Sequence, residues 1–202
     1  SLSQTAEGGL AEVGNMLQRM RELAVQSANA TNGDTDRDNL DAEYQALGAE
    51  VTRQINATKF NGIAVLATAG NQVFQVGANN GDTITVATTN LNAAGGAVPL
   101  AVAGDVQDAT NAAAAIDLVD TALDAVTTTR ATYGAVQNRF QSVVNNLQVA
   151  AENQAASRGR IMDADFAMET ANLTRFQILQ QAGTAMVAQA NAIPQSVLSL
   201  LQ

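Results

Sequence analysis

The sequence predicts a mainly α fold: an elongated antiparallel bundle of long, coiled-coil-like helices, with a small β-hairpin region and a separate carboxy-terminal helix. Three observations predict it. Apolar residues fill 47 % of the 202 positions but aromatics only 3 %, so Ala, Val and Leu supply the apolar surface. Such Ala-rich, Pro-poor sequence favours helix, because Ala loses no side-chain entropy and the backbone is not interrupted. Long stretches then repeat apolar residues three and four apart, and the last stretch, FQILQQAGTAMVAQANAIPQSVLSLLQ from Phe176 to Gln202, contains no Asp, Glu, Lys or Arg.

The first helix is expected over residues 3–29. Ala6, Leu10, Val13, Leu17, Met20 and Ala24 form a 4-3-4-3-4 seam on one side, widened by Met16 and Leu23. It ends in NATNGDTD, which is rich in turn formers. A second helix is expected over residues 35–56, with Leu40, Tyr44, Leu47, Val51 and Ile55 recurring every three or four residues. Asp34, Asp36 and Asp38 suit the positive end of its dipole. The chain then breaks at KFNG, with Gly62 as the punctuator.

Residues 72–88 carry the convincing β signal. Apolar and polar residues alternate on both sides of Asn80-Gly81, a pair whose members tolerate positive φ and close hairpins. Residues 90–104, with Gly95-Gly96 and Pro99, read as a loose surface connection. The longest helix is expected over residues 110–157. Its seam runs through Ile116, Val119, Leu123, Val126, Arg130, Tyr133, Gln137, Phe140, Val144, Leu147 and Ala151. At ~1.5 Å per residue it would be ~70 Å long, which calls for a bundle packed along it. Polar Arg130 and Gln137 on the seam would set register. A final helix is expected from Asp163 to Asn191, ended by Pro194.

The chain has no Cys, His or Trp. This removes Cys or Ser–His nucleophiles, His proton shuttles and the common zinc ligand sets. A net charge of −9 argues against nucleic acid and anionic membrane as partners. Asp34, Asp36, Asp38 and Asp41 crowd one helix start, but without the Gly and distal Glu of a calcium loop they read as capping charges. No enzyme activity and no cofactor is implied. The thin aromatic supply argues against the stacking that a polysaccharide-binding surface protein or adhesin would use.

The uncharged end poses its own question. As a membrane span it would carry Gln177, Gln180, Gln181, Gln189, Asn191 and Gln195 into hydrocarbon, so membrane insertion is not expected. As a central buried helix it lacks a partner. Burial between identical copies fits best, because small Ala and Gly permit close approach and no charges repel.

LQRMRELAVQSANAT (Leu17 to Thr31), KFNGIAVL (Lys59 to Leu66), FQVGAN (Phe74 to Asn79) and the whole of Arg160 to Gln202 resemble bacterial flagellins, in the family's order. The resemblance implies a structural subunit of the bacterial flagellar filament, homopolymeric, secreted and extracellular, serving motility. It divides the chain into a rod domain, 1–157, and a carboxy-terminal polymerisation helix, 158–202. It implies a central tube lined near Ala185 to Gln202, with Leu10 to Asn153 outside it. Export by the flagellar secretion apparatus, a filament cap, and a chaperone holding Ala164 to Gln202 are also implied. The apolar residues for those contacts would be Phe176, Ile178, Leu179, Met186, Val187, Ile193, Val197, Leu198, Leu200 and Leu201.

Family members normally begin several tens of residues before the position of Ser1, with an amino-terminal partner for the final helix. That segment is expected to be missing. The chain is then expected to polymerise poorly alone, with residues after Arg175 disordered or bound elsewhere. The family also implies recognition by Toll-like receptor five. The matching positions are Arg19, Leu23 and Glu43, with Gln18 beside them. Arg19 would offer a planar bidentate donor and Leu23 an apolar anchor.

Overall fold

The element order is α1 (Leu2–Ser27), α2 (Asp34–Ala57), β1 (Lys59–Phe60), β2 (Ile63–Ala64), β3 (Gly70–Gln75), β4 (Thr83–Thr88), α3 (Ala97–Val102), α4 (Ala109–Met162) and α5 (Phe166–Ser199). The computed structural model describes residues 1–163 and 165–199, with side chains through residue 191. Two units divide the chain, Ser1–Asn146 and Leu147–Gln202. The fold is mainly α with two small antiparallel hairpins.

In the first unit, the α1 seam is fully buried from Ala6 to Ala24. The chain turns back at residues 28–33, and Arg37 on α2 donates to the Ser27 carbonyl (3.0 Å) and the Asn29 carbonyl (3.1 Å). The Ser27 carbonyl is the last of α1, which has no basic residue in its own last turn, and Asn29 belongs to the turn that follows. The Asp36 carboxylate accepts from the Gly33 N–H (3.1 Å), so one of the helix-start carboxylates does cap α2. Asp41 does something else. It is buried and accepts from the Val106 N–H (3.0 Å) and the Gln107 side chain (3.1 Å), which pins the approach to α4 against α2.

Ion pairs Arg21–Asp120 (2.6 Å) and Arg130–Glu7 (2.7 Å) set α4 antiparallel to α1. The buried seam of α4 is Ala112, Ala115, Val119, Ala122, Val126, Thr129, Tyr133 and Val136. This corrects the expected seam, which shares only Val119, Val126 and Tyr133 with it. Small Ala and Thr positions take the inside and let the helices approach closely, while Ile116 and Leu123 pack at its flank. Arg130 is therefore an exposed rim residue paired with Glu7, not an interior register device. Beyond Phe140 the expected seam is exposed at Val144, Leu147 and Ala151.

Two hairpins stand where one was expected. KFNG is not a simple break: Lys59↔Ala64 and Phe60↔Ile63 pair across Asn61-Gly62, both at positive φ (49° and 81°). That is the backbone of a two-residue type I′ turn. The second hairpin pairs Gly70↔Thr88 through Gln75↔Thr83. Its connection uses Gly81 at φ 97° and the Asp82 N–H donating to the Asn79 carbonyl (3.2 Å), with positive φ at Gly81 only. This matches type II geometry, so Asn80 does not adopt the left-handed conformation its pairing with Gly81 suggested. Phe74 on β3 meets Phe140 on α4 edge to face, with ring centroids 5.6 Å apart.

Residues 90–104 are not loose throughout. They contain α3, whose Val98 and Ala101 are buried. Gly48 on α2 permits the contact, since a Cβ there would meet the Val102 Cβ and carbonyl at 3.2 Å. The Tyr44 hydroxyl then donates to the Ala101 carbonyl (2.7 Å).

In the second unit, α5 starts at Phe166, where the Asp165 side chain accepts from the Ala167 (3.0 Å) and Met168 (3.3 Å) N–H groups. The helix continues to Ser199, through the position of Pro194 that was expected to end it, so residues 176–199 are helical. A proline removes one helix hydrogen bond, and the surrounding turns keep the helical path. No helix among the described residues is long and apolar enough to cross a membrane.

Candidate assembly and recognition surfaces

Every described side chain of α5 from Phe166 to Asn191 is exposed. Among the expected contact residues, Phe176 is 68 % exposed and Met186 72 %, with Ile178, Leu179 and Val187 close to 60 %. Phe176, Leu179, Met186 and Val187 share one side of the helix by their spacing, with Ile178 off that stripe. A face of α5 comprising Thr170, Thr174, Arg175, Ile178 and Leu179 forms a shallow open depression. The side chains of Ile193, Val197 and Leu198, and all of Ala164, Leu200 and Leu201, lie outside the described residues.

The other group of expected site residues lies on α1 and α2. Arg19 makes its Nε–H bond to Glu43 Oε1 (2.9 Å), places Nη2 2.8 Å from the same oxygen, and donates from Nη1 to Glu22 Oε2 (3.1 Å). Both carboxylates hold the guanidinium charged, raising its pKa above the ordinary value, with the Glu43 bond foremost. Arg19 and Glu43 are each about half exposed, and Gln18 is exposed beside them. Together they form a small polar surface with a pre-set cation.

Leu23 does not belong to that surface. It is fully buried in the core with Met20 and Ala24. The family resemblance implied a contact role for it beside Arg19, whereas the α1 periodicity had already placed it at the edge of the buried seam. Leu23 is a core residue here, and the reading of it as an exposed apolar anchor is corrected.

What the expected set omitted are two buried tyrosines of the first unit. Tyr44 donates inward to Ala101, and Tyr133 donates to the Val65 carbonyl (3.0 Å). Burial, aided by Asp41 and Asp105, pushes the Tyr44 pKa up to about 12, and burial raises that of Tyr133. A tyrosine on an apolar seam is the signal that could have found both.

Residues 1–71 match the bacterial flagellin N-terminal helical region, and residues 116–201 match the bacterial flagellin C-terminal helical region. The first match gives no support to the expectation of a missing amino-terminal helical segment. Flagellin of Halalkalibacterium halodurans is 47 % identical, over the whole of this chain and 74 % of its own length. The flagellar filament 33 kDa core protein of Treponema phagedenis is 39 % identical, over the whole of this chain and 76 % of its own length. The crystal structure of Bacillus cereus flagellin superimposes with a TM-score of 0.63 at 34 % identity, covering 78 % of this chain and 90 % of that one. The chain belongs to the bacterial flagellins, non-enzymatic structural subunits of the flagellar filament.

Proposed function

We propose that this subunit joins the filament by burying α5 among the α5 helices of other copies. The observation that carries the reading is the exposure of every described side chain of α5, where the helices of the first unit bury their apolar seams up to Val136. Large exposed apolar surface marks an interaction site, and α5 bears no Asp, Glu, Lys or Arg after Arg175 to oppose stacking of identical copies. On the same reading, residues 1–157 act as the rod domain and residues 158–202 as the polymerisation helix.

Before assembly such a surface must be covered. An export chaperone that holds residues 164–202 meets that need, and delivery by the flagellar secretion apparatus to a capped, growing filament outside the cell follows. Recognition by Toll-like receptor five is supported by the pre-set Arg19–Glu43 pair with Gln18 beside it. Planar bidentate donors such as Arg19 are favoured at interface centres.

The test is electron microscopy of the chain with and without residues 176–202 under polymerising conditions. Filaments that disappear on truncation are expected. Filaments that persist would overturn the assignment of α5 as the assembly surface.

A further inference from the structure

All but two of the methionines lie at the end of α4 or on α5, and they differ sharply from the rest. Met162, Met168 and Met186 are 71 %, 65 % and 72 % exposed. Met20 is fully buried in the α1 seam, and Met16 packs against the same core. We infer that Met162, Met168 and Met186 are peroxide-sensitive modification sites of the assembly helix region, open in the free subunit, with Met168 and Met186 on α5 closed by polymerisation. The consequence for assembly rests on the proposed burial of α5 between copies; the order of reactivity does not.

The chemistry needs only a thioether and hydrogen peroxide. A sulfur lone pair attacks one peroxide oxygen, an S–O bond forms, the O–O bond breaks, and the departing hydroxide takes the remaining proton to leave as water. Sulfur is oxidised by two electrons and peroxide is reduced. The product sulfoxide is polar and chiral, where the thioether was flexible and apolar. On an exposed helix it is solvated and costs little. Between copies it would be buried without an assigned partner, and burying an unpartnered polar group opposes association. Met168 and Met186 would thus report whether a subunit has been incorporated.

The site can be tested on the intact chain treated with hydrogen peroxide, followed by peptide mass mapping and an assembly assay. Met162, Met168 and Met186 are expected to gain oxygen about tenfold faster than Met20, and treated subunits to form about tenfold fewer filaments, as the desolvation of one or more polar groups requires. Preformed filaments should oxidise more slowly at Met168 and Met186. A triple variant, Met162→Leu, Met168→Leu and Met186→Leu, should assemble normally and keep doing so after peroxide. Sulfoxide reductases should restore the treated wild-type chain. Equal oxidation of Met20 and the other three, or a triple variant as peroxide-sensitive as wild type, would overturn the inference. An untreated chain that forms no filaments would overturn the assembly reading instead, and the mass map would still decide the order of oxidation.

Discussion

A Cβ on Gly9 would stand 2.5 Å from Thr58 Oγ1 and 2.8 Å from Thr58 Cγ2, so α1 and the end of α2 meet at a distance that only glycine allows. Thr58 is itself fixed, since its hydroxyl donates to the Gln54 carbonyl (2.7 Å) as the helix closes. Just beyond, the Val65 N–H donates to the Thr58 carbonyl (3.2 Å) and continues the β1–β2 ladder. One close approach therefore locates the first hairpin against α1.

Gly9→Ala should destabilise the fold by about 1–3 kcal/mol, because the overpacking cost exceeds the helix-propensity gain of alanine. Gly8 is the matched control: it lies in the same helix with nothing within 4 Å of its would-be Cβ. Gly8→Ala should stabilise by up to about 1 kcal/mol. Urea denaturation of both variants checks the pair. Equal effects would mean that the Thr58 contact imposes no constraint.

The parts legible in the sequence are those that periodicity controls. The α1 seam from Ala6 to Ala24 repeats without ambiguity and is buried as spaced. On α4, two adjacent stripes satisfy the same 3-4 rule, one of Ile and Leu and one of Ala and Thr. Hydropathy favours the first, but close helix packing selects the second, and this depends on the partner's shape rather than on α4 alone. The hairpin at Asn61-Gly62 carried its own signal, obscured because its strands are only two residues long. At the candidate surfaces, the exposed run of α5 was legible as a lack of charge. The burial of Leu23 was legible too, since its spacing put it on the widened α1 seam; only the family resemblance pointed it outward.

Tyr44 couples the fold to alkaline pH. Its pKa rises from an ordinary 10.0 to about 12 through burial foremost, with Asp41 and Asp105 adding to it. The unfolded chain therefore releases this proton first, so the contribution of the neutral phenol is complete below about pH 10 and declines as pH rises towards 12. Tyr44→Phe should flatten that decline. At neutral pH it should cost about 1 kcal/mol, because it removes the shorter of the two hydrogen bonds to the Ala101 carbonyl and leaves only that from the Gly104 N–H (3.3 Å). Thermal unfolding of both proteins between pH 8 and about 11.5 reads the difference; parallel curves would show that Tyr44 does not set the alkaline limit.

Leu23 and Arg19, one turn apart, should separate fold from recognition. Leu23→Ala removes a fully buried side chain and should destabilise by about 2–5 kcal/mol. Arg19→Ala breaks a half-exposed ion pair with Glu43 and should cost about 1 kcal/mol or less. If Toll-like receptor five reads the Arg19–Glu43 surface, Arg19→Ala should weaken binding to the folded chain with little change in its melting temperature. Leu23→Ala should lower the melting temperature first, and binding should follow the fraction folded. Calorimetric melting paired with receptor-binding titration checks both. A folded Leu23→Ala protein with normal stability and lost binding would return Leu23 to the contact surface.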